Sequence, residues 1–102
     1  MPIYKTARFQ VRTESIKIAK TAIEIFIATI KENEPGTLYY TSWQERDNPG
    51  KFLHHFAFED AEAETFHRNT EWVKAFTSAL YPELVSDGVE FIDYVAVTST
   101  QK

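Results

Sequence analysis

Two aromatic segments separated by a short turn constrain the fold of this chain more than any other feature. Residues 37–45 (TLYYTSWQE) and 52–58 (FLHHFAF) are rich in aromatic and β-branched side chains, which favour strands. The residues between them, RDNPGK, have the composition of a turn. The two segments are therefore predicted to pair as an antiparallel hairpin.

Hydrophobic periodicity predicts the remaining elements. Apolar and polar side chains alternate over residues 3–12, as in a strand, whereas apolar residues recur at helical spacing from Ile16 to Ile30. Thr13 to Ser15 can cap that helix, and Glu34-Pro35-Gly36 stops it. The other predicted elements are a helix over residues 59–68 capped by Asp60, an interruption at Asn69 and Thr70, a helix over residues 71–80, and a strand over residues 89–98 after the turn Ser86-Asp87-Gly88.

The order of these elements, β-α-β-β-α-β, indicates the fold class. It is the order of the α+β ferredoxin-like fold, in which a four-stranded antiparallel sheet carries its helices on one face. A chain of 102 residues has room for one hydrophobic core. We therefore expect a single domain over residues 1–102.

The predicted strands are apolar or aromatic on both faces. In the second strand, Tyr40 points to one face while Tyr39 and Trp43 point to the other. Two helices can cover only one side of a four-stranded sheet, so the second side needs a partner. A second copy of the chain is the simplest partner, and a homodimer is expected.

Composition and charge exclude several classes of protein. The formal net charge is −4 and the lysines and arginines are scattered, so no basic surface for nucleic acid is expected. The absence of cysteine excludes disulfides and zinc–thiolate sites. No apolar run approaches the roughly 20 residues that span a bilayer, and the N-terminus is too polar for a secretion signal. We expect a soluble, cytoplasmic protein with no membrane or nucleic-acid partner.

The adjacent histidines His54 and His55 resemble a metal motif but are not predicted to be one. Successive strand residues point to opposite faces, so the two rings cannot ligate the same ion. His54 shares its face with Phe52, Phe56 and Phe58. The simpler interpretation of either histidine is a core residue with one satisfied hydrogen bond.

The neighbouring strand suggests a second interpretation for His54. Leu38, Tyr40 and Ser42 share one face of that strand, and the apolar pattern predicts that this face meets the face of His54. Ser42 and His54 would then be small polar groups among aromatic walls. A pocket for a small planar ligand requires this combination of apolar lining and a few placed polar groups.

The third histidine, His67, lies beside the predicted helix break and close to Trp72. This arrangement suits the mouth of a pocket, but it also suits a surface histidine at a helix terminus. His67 and Glu71 are spaced i, i+4 without an HExxH pattern, so no metal site is expected. On spacing alone, Trp72 and Phe76 are more typical of a core. No phosphate loop or dinucleotide motif is present, so nucleotide and flavin cofactors are not predicted.

Several phrases of the chain resemble the antibiotic biosynthesis monooxygenase (ABM) family of dimeric α/β barrels. The most specific is FHRNT (66–70) followed by Val73 and Phe76, which is similar to the family's histidine-x-x-serine/threonine phrase. The others are EPGTLYY (34–40), NPGKF (48–52) and FEDAEA (58–63), in the family's order and spacing. The resemblance covers nearly the whole chain.

The resemblance implies a homodimer with its two sheets face to face and one pocket in each subunit, between the sheet and the helices. Enzymes of the family oxygenate or rearrange small aromatic or quinol-like molecules without metal or flavin, so no cofactor is expected. His67 would handle a proton, and Tyr40, Ser42 and His54 would orient the substrate. The resemblance also makes Phe56, Phe58, Trp72 and Phe76 candidate substrate-binding residues.

Three activities are compatible with this resemblance: a cofactor-independent monooxygenase of a small phenolic, quinol or anthrone-like substrate, a non-catalytic barrel that binds an aromatic ligand, and an isomerase or lyase. The chain has Glu71 and Trp72 where the family's phrase usually continues with a proline and a second histidine, so a mechanism with two histidines is not expected. Ala7, His67 and Thr77 differ from the residues of the haem-degrading branch, which argues against haem.

Overall fold

Four strands and three helices follow one another in the expected β-α-β-β-α-β order, with the second helical segment divided in two. The structure, a computed structural model, describes residues 1–101 apart from the side chains of Ser86 and Asp87; residue 102, the last of the expected domain, lies outside it. Short 3-10 turns precede the first helix and the last strand. The elements are β1 (Ile3–Val11), α1 (Ile16–Asn33), β2 (Thr37–Gln44), β3 (Lys51–Phe58), α2 (Ala61–Arg68), α3 (Glu71–Leu80) and β4 (Leu84–Tyr94).

The strands form one antiparallel sheet in the order β2-β3-β1-β4, which confirms the ferredoxin-like fold and the predicted hairpin. The register places His54 of β3 opposite Ala7 of β1 and Ser42 of β2. One face of the sheet is buried beneath the helices: Phe9 and Phe52 pack with Ile23 of α1 and Leu80 of α3. Because side chains alternate along a strand, each one points either towards the helices or towards the uncovered face of the sheet.

The last strand differs from its predicted span of 89–98. It begins at Leu84, because Leu84 pairs with Val11 before the chain reaches the residues expected to form a turn. The register is irregular over this stretch, and Gly88 takes a positive φ of 70° that other residues rarely adopt. The strand ends at Tyr94, which pairs with Tyr4, one residue after the start of β1.

An irregularity near the start of β2 affects Leu38. The register of β2 shifts between Thr37, which pairs with Phe58, and Tyr39, which pairs with Ala57. Leu38 falls at this irregularity and its side chain is half exposed. Tyr40 and Ser42 lie beyond the irregularity and pair with Phe56 and His54 respectively. The predicted meeting of their face with the face of His54 is therefore confirmed.

Side-chain caps divide the second helical segment where the sequence indicated. Asp60 accepts a hydrogen bond from the backbone N–H of Ala63 and begins α2. Thr70 begins α3 by accepting from the N–H of Val73, while its hydroxyl donates to the carbonyl oxygen of His67 at 2.9 Å. One side chain thus joins the end of α2 to the start of α3.

Among the described residues, no helix is long and apolar enough to cross a membrane.

Replacing Thr70 is expected to destabilise the junction between α2 and α3. Thr70→Ala removes both hydroxyl hydrogen bonds and should lower the free energy of unfolding by about 1–2 kcal/mol, the usual effect of losing such a cap. Thr70→Ser keeps the hydroxyl and serves as the matched control. Urea unfolding of both variants measures the difference, and equal stability of the two would contradict this role.

Candidate functional site

A cavity of about 310 Å³ lies between the helix-covered face of the sheet and the helices, beside the junction of α2 and α3. Aromatic rings from α1, β2, β3 and α3 form most of its wall, and Phe26 stacks on Phe76 with ring centroids 4.2 Å apart. Cavities of this size and composition bind small organic ligands. Two imidazoles, of His54 and His67, are the nitrogen-bearing rings in the wall.

Most of the residues predicted for the site line this cavity. Ser42 and Trp72 lie outside the lining. Ser42 of β2 pairs with His54 of β3 in the register. The indole N–H of Trp72 donates to the carboxylate of Glu34. The predicted residues that do line the cavity are Tyr40, His54, Phe56, Phe58, His67 and Phe76.

Glu34, a residue not predicted for the site, is placed by the end of α1. The residue before a proline is disfavoured in helical conformation, so Pro35 ends α1 and turns Glu34 out of it, at φ −121° and ψ 82°. Gly36 allows α2 to approach this turn, because a Cβ at that position would lie 2.6 Å from the Cβ of Ala63. The approach of α2 brings His67 to Glu34.

The buried carboxylate of Glu34 accepts hydrogen bonds from three side chains. His67 Nδ1 lies 2.9 Å from both carboxylate oxygens, Thr37 Oγ1 donates at 2.6 Å, and the indole N–H of Trp72 also donates. Burial alone would raise the pKa of Glu34, but the hydrogen bonds from His67, Thr37 and Trp72 outweigh it and hold the pKa below its ordinary value. The group is therefore a carboxylate at neutral pH.

The carboxylate of Glu34 determines which nitrogen of His67 faces the cavity. A carboxylate can only accept, so Nδ1 of His67 carries the hydrogen that it donates. The neutral ring then has its lone pair on Nε2, on the edge away from Glu34. Since the ring lines the cavity among Phe26, Tyr40 and Phe58, with centroids 5.1–5.9 Å away, Nε2 is the nitrogen available to a ligand.

His54 is buried in the wall formed by the sheet, with 1% of its surface exposed. Its Nδ1 lies 3.1 Å from the hydroxyl of Tyr40, and its ring meets that of Phe9 edge-on. Burial lowers the pKa of His54 to about 4, so the ring is neutral near pH 7. Within residues 1–101, Nε2 of His54 is buried without a hydrogen-bond partner.

Charged side chains of three elements meet at the rim of the cavity. Lys5 Nζ of β1 lies 2.8 Å from Glu64 of α2 and 3.0 Å from Asp93 of β4, and Arg68 lies 3.5 Å from the same Glu64. The hydrogen bond to Glu64 is the main reason why the pKa of Lys5 lies above its ordinary value. Lys5, Glu64 and Arg68 belong to the lining.

The other face of the sheet carries His55, as strand geometry predicted. Its Nε2 lies 3.2 Å from the hydroxyl of Tyr39, and the ring is exposed. Trp43, Ile92 and Tyr94 on the same face are 58%, 37% and 49% exposed. The two adjacent histidines thus belong to different surfaces. Within the described part of the chain, no three His, Asp or Glu side chains are grouped as a metal site requires.

The position of Glu34 in the sequence is itself a signal for a functional carboxylate. A carboxylate at the C-terminal end of a helix opposes the helix dipole, so an acidic residue there, directly before Pro-Gly, calls for another partner. The rim residues Lys5 and Glu64 had no such signal, because nothing in their local sequence indicates that β1 and α2 meet.

Acidification is expected to destabilise the protein through His54. A histidine whose pKa falls from 6.5 to about 4 on folding stabilises the folded state fully above pH 6.5, and this contribution is lost as the pH falls towards 4. The loss amounts to about 3 kcal/mol at most. Urea unfolding between pH 7 and 4 should therefore show a steeper decline for the wild type than for His54→Phe.

The control for this measurement is His55→Phe, which changes the neighbouring histidine on the exposed face. This variant should keep the decline seen in the wild type. If His54→Phe and the wild type lose stability in parallel over the same pH range, His54 is not the buried neutral group that the structure describes.

Comparison with known proteins agrees with the fold and identifies the family. The sequence model described as antibiotic biosynthesis monooxygenase, ABM, matches residues 2–79. No curated protein matches the sequence. A Bacteroides thetaiotaomicron structure named after the family is similar with a TM-score of 0.89 and 18% identity, covering 99% of this chain and 94% of that one.

Two further structures share the fold at similarly low identity. A Nitrosomonas europaea protein, also named after the family, has a TM-score of 0.87 and 16% identity over 98% of this chain and 94% of its own. A Mycobacterium tuberculosis protein has a TM-score of 0.87 and 16% identity, covering 99% of this chain and 100% of its own. Because the family's sequence model spans most of the chain, this protein belongs to the antibiotic biosynthesis monooxygenase family.

Proposed function

We propose that this protein is a cofactor-independent monooxygenase that uses dioxygen to oxidise a small phenolic, quinol or anthrone-like molecule. The observation that carries the proposal is the pairing of His67 with the buried carboxylate of Glu34 at the wall of an aromatic cavity. This pair supplies a base with a fixed orientation at the wall of a largely apolar cavity. Membership of the ABM family supports the same class of reaction.

In the proposed reaction, His67 Nε2 accepts an acidic proton from the substrate. The carboxylate of Glu34 stabilises the imidazolium that forms, and it holds the ring in one tautomer before the transfer. The substrate anion is electron-rich and bonds to dioxygen through carbon, which gives a peroxide. Protonation and loss of water leave a new carbonyl group or a hydroxylated quinone.

This reaction balances without an added reductant. The substrate supplies all four electrons that reduce dioxygen, one oxygen atom enters the product, and the other leaves as water. The protein therefore has to bind the substrate, move protons and stabilise the anion. Phe56, Phe58 and Phe76 would enclose the rings of the substrate, while Tyr40 and His54 would orient it.

Trp72 has a different proposed role from the one predicted for it. Its indole N–H donates to Glu34 rather than lining the cavity, so it would act on the substrate only through the Glu34–His67 pair. Thr37 contributes the third hydrogen bond to the same carboxylate. These two residues are positioning residues in the proposed mechanism, since they hold the group that holds the base.

A homodimer is proposed from the exposed face of the sheet. That face presents Trp43, Ile92 and Tyr94 together with the half-buried Leu53, all without a covering element among the described residues. Exposed apolar side chains on one face of a sheet mark a candidate site of association. A second copy packed face to face would cover it, with the same residues contributed by each subunit.

Loss of the base is expected to reduce turnover. His67→Ala should lower the rate of oxygen consumption with a hydroquinone or anthrone substrate at least about tenfold, because general-base catalysis typically contributes 10²–10⁴-fold. Glu34→Gln should also lower the rate, because it replaces a carboxylate that accepts three hydrogen bonds with an amide that has a single acceptor oxygen. An oxygen electrode measures both variants.

The matched control is His55→Ala, which removes a histidine from the opposite face of the sheet and should leave the rate unchanged. Uptake that is unaltered in His67→Ala would remove His67 from the mechanism. Tight binding of aromatic ligands with no oxygen uptake across a broad panel would instead favour a non-catalytic barrel. Product formed without oxygen would favour an isomerase or a lyase.

Light scattering is expected to give twice the 11.8 kDa mass of the chain at micromolar concentration. Ile92→Glu should shift the mass towards the monomer, since a charge would be buried in the proposed interface. Ile25→Glu is the control: Ile25 is 64% exposed on α1, away from that face, and its replacement should leave the mass unchanged. A monomeric wild type contradicts the proposal.

A further inference from the structure

We propose that the cavity selects a planar molecule that carries two different oxygen groups: an acidic hydroxyl group for Nε2 of His67, and a carbonyl oxygen or its anion for Nε2–H of His54. The geometry points to a substrate class narrower than phenols and quinols in general. The connection to turnover rests on the proposed function, whereas the binding preference stands on the two histidines alone.

The hydrogen bond to Glu34 determines which nitrogen of a neutral His67 carries the hydrogen. Both oxygens of the Glu34 carboxylate lie 2.9 Å from Nδ1, and a carboxylate has no hydrogen to donate. Nδ1 therefore carries the hydrogen of the neutral ring. Nε2 of His67 is left as an acceptor, so it needs a ligand group that brings a hydrogen.

The hydrogen bond to Tyr40 determines which nitrogen of His54 carries the hydrogen. Its Nδ1 shares one hydrogen bond with the hydroxyl of Tyr40, and either group could donate. Burial raises the pKa of Tyr40 well above its ordinary value, so the hydroxyl keeps its hydrogen. Within residues 1–101 the hydroxyl makes no other hydrogen bond, so if Nδ1 donated, the buried hydroxyl hydrogen would have no acceptor.

The arrangement that leaves no hydroxyl hydrogen of Tyr40 without an acceptor is the one in which Tyr40 donates to Nδ1 of His54. A neutral imidazole has one hydrogen, so it then lies on Nε2, the buried nitrogen with no partner among the described residues. The two histidines are opposite tautomers. Both histidines belong to the lining of the cavity, so in the proposed complex Nε2 of His67 would accept a hydrogen from the ligand and Nε2–H of His54 would donate one.

Both rings lie next to Tyr40, with centroids 5.3 Å (His54) and 5.9 Å (His67) from its ring. The stacked rings of Phe26 and Phe76 form another part of the wall. A ligand that reaches both nitrogens must therefore be apolar and flat between its two polar ends. A carbonyl oxygen satisfies the donor of His54 without adding a further hydrogen that needs an acceptor.

The neutral state of His54 matters for the reaction. As a neutral donor it can hydrogen-bond a carbonyl oxygen and strengthen that bond when the substrate becomes an anion, without giving up its own hydrogen. His67 would take the proton from one end of the conjugated system while His54 holds the negative charge that appears at the other end. This makes His54 a further candidate for contact with the reacting molecule.

The tautomers can be measured directly by nuclear magnetic resonance. Long-range ¹H–¹⁵N spectra of the labelled protein at pH 7 should show the hydrogen of His54 on Nε2 and that of His67 on Nδ1. Assignments come from His54→Phe and His67→Phe, and His55→Phe is the control. A hydrogen on Nδ1 of His54 would overturn the proposal.

Three ligands of one carbon skeleton test the preference by calorimetry: 6-hydroxy-1-tetralone, which has both groups, 5,6,7,8-tetrahydro-2-naphthol, which lacks the carbonyl, and 1-tetralone, which lacks the hydroxyl. The first should bind about tenfold more tightly than either of the others, as one hydrogen bond predicts. In His54→Phe the difference between the first two should disappear. Equal binding of all three to the wild type would contradict the proposal.

A further variant tests whether Tyr40 positions His54, as distinct from the contact of His54 with the ligand. Tyr40→Phe removes the hydroxyl that determines the tautomer of His54, so it should shift the ¹⁵N signals of His54 towards a mixture of tautomers and reduce the preference for the carbonyl ligand. Unchanged signals would mean that Tyr40 does not determine the tautomer.

The outcomes distinguish this inference from the proposed function. Oxygen uptake that depends on His67, together with equal binding of the three ligands, would keep the monooxygenase and overturn the preference. The expected binding preference without uptake of oxygen by any ligand would keep the preference and overturn the monooxygenase.

Discussion

The carboxylate of Glu34 is the group on which the geometry of the cavity depends. It is buried, it is ionised, and it accepts hydrogen bonds from β2, α2 and α3 through Thr37, His67 and Trp72. A buried charge is costly unless all of its lone pairs find donors, so these contacts have to form together. The same contacts that satisfy Glu34 bring α2 and α3 to the end of α1 and turn His67 into the cavity wall.

The two histidines of the cavity show how a strand and a helix place the same side chain differently. His54 is fixed by β3, buried between Tyr40 and Phe9, and neutral because of its burial. His67 is on the last turn of α2, where the hydroxyl of Thr70 donates to its carbonyl oxygen and Glu34 orients its ring. Burial thus determines the protonation state of His54, whereas the neighbouring carboxylate of Glu34 determines the orientation of His67.

One face of the sheet is buried against the helices, and the other is exposed. The face beneath the helices carries alternate residues of β1 and β3, including Ala7, Phe9 and His54, and forms the core and one wall of the cavity. The opposite face carries His55 and Trp43, exposed in the single chain. Since consecutive strand residues alternate between the faces, a shift of one residue in register would exchange the cavity wall for the outer surface.

By itself the sequence determined the order of the elements, the hairpin, the cap at Asp60, the interruption at Thr70, and the separation of His54 from His55, because these follow from local periodicity and from side chains close in the chain. Most of the residues that it indicated for the site, six of eight, line the cavity. Only the tertiary structure decided the irregularities at Leu38 and Gly88, the end of β4 at Tyr94, and the partners of Glu34. These depend on pairing between distant segments: Leu84 joins the sheet because Val11 lies opposite it, and Glu34 reaches His67 because Gly36 lets α2 come close. Local sequence patterns do not indicate which distant segments come together. The sequence therefore predicted His67 for the site but not Glu34, the carboxylate that orients it.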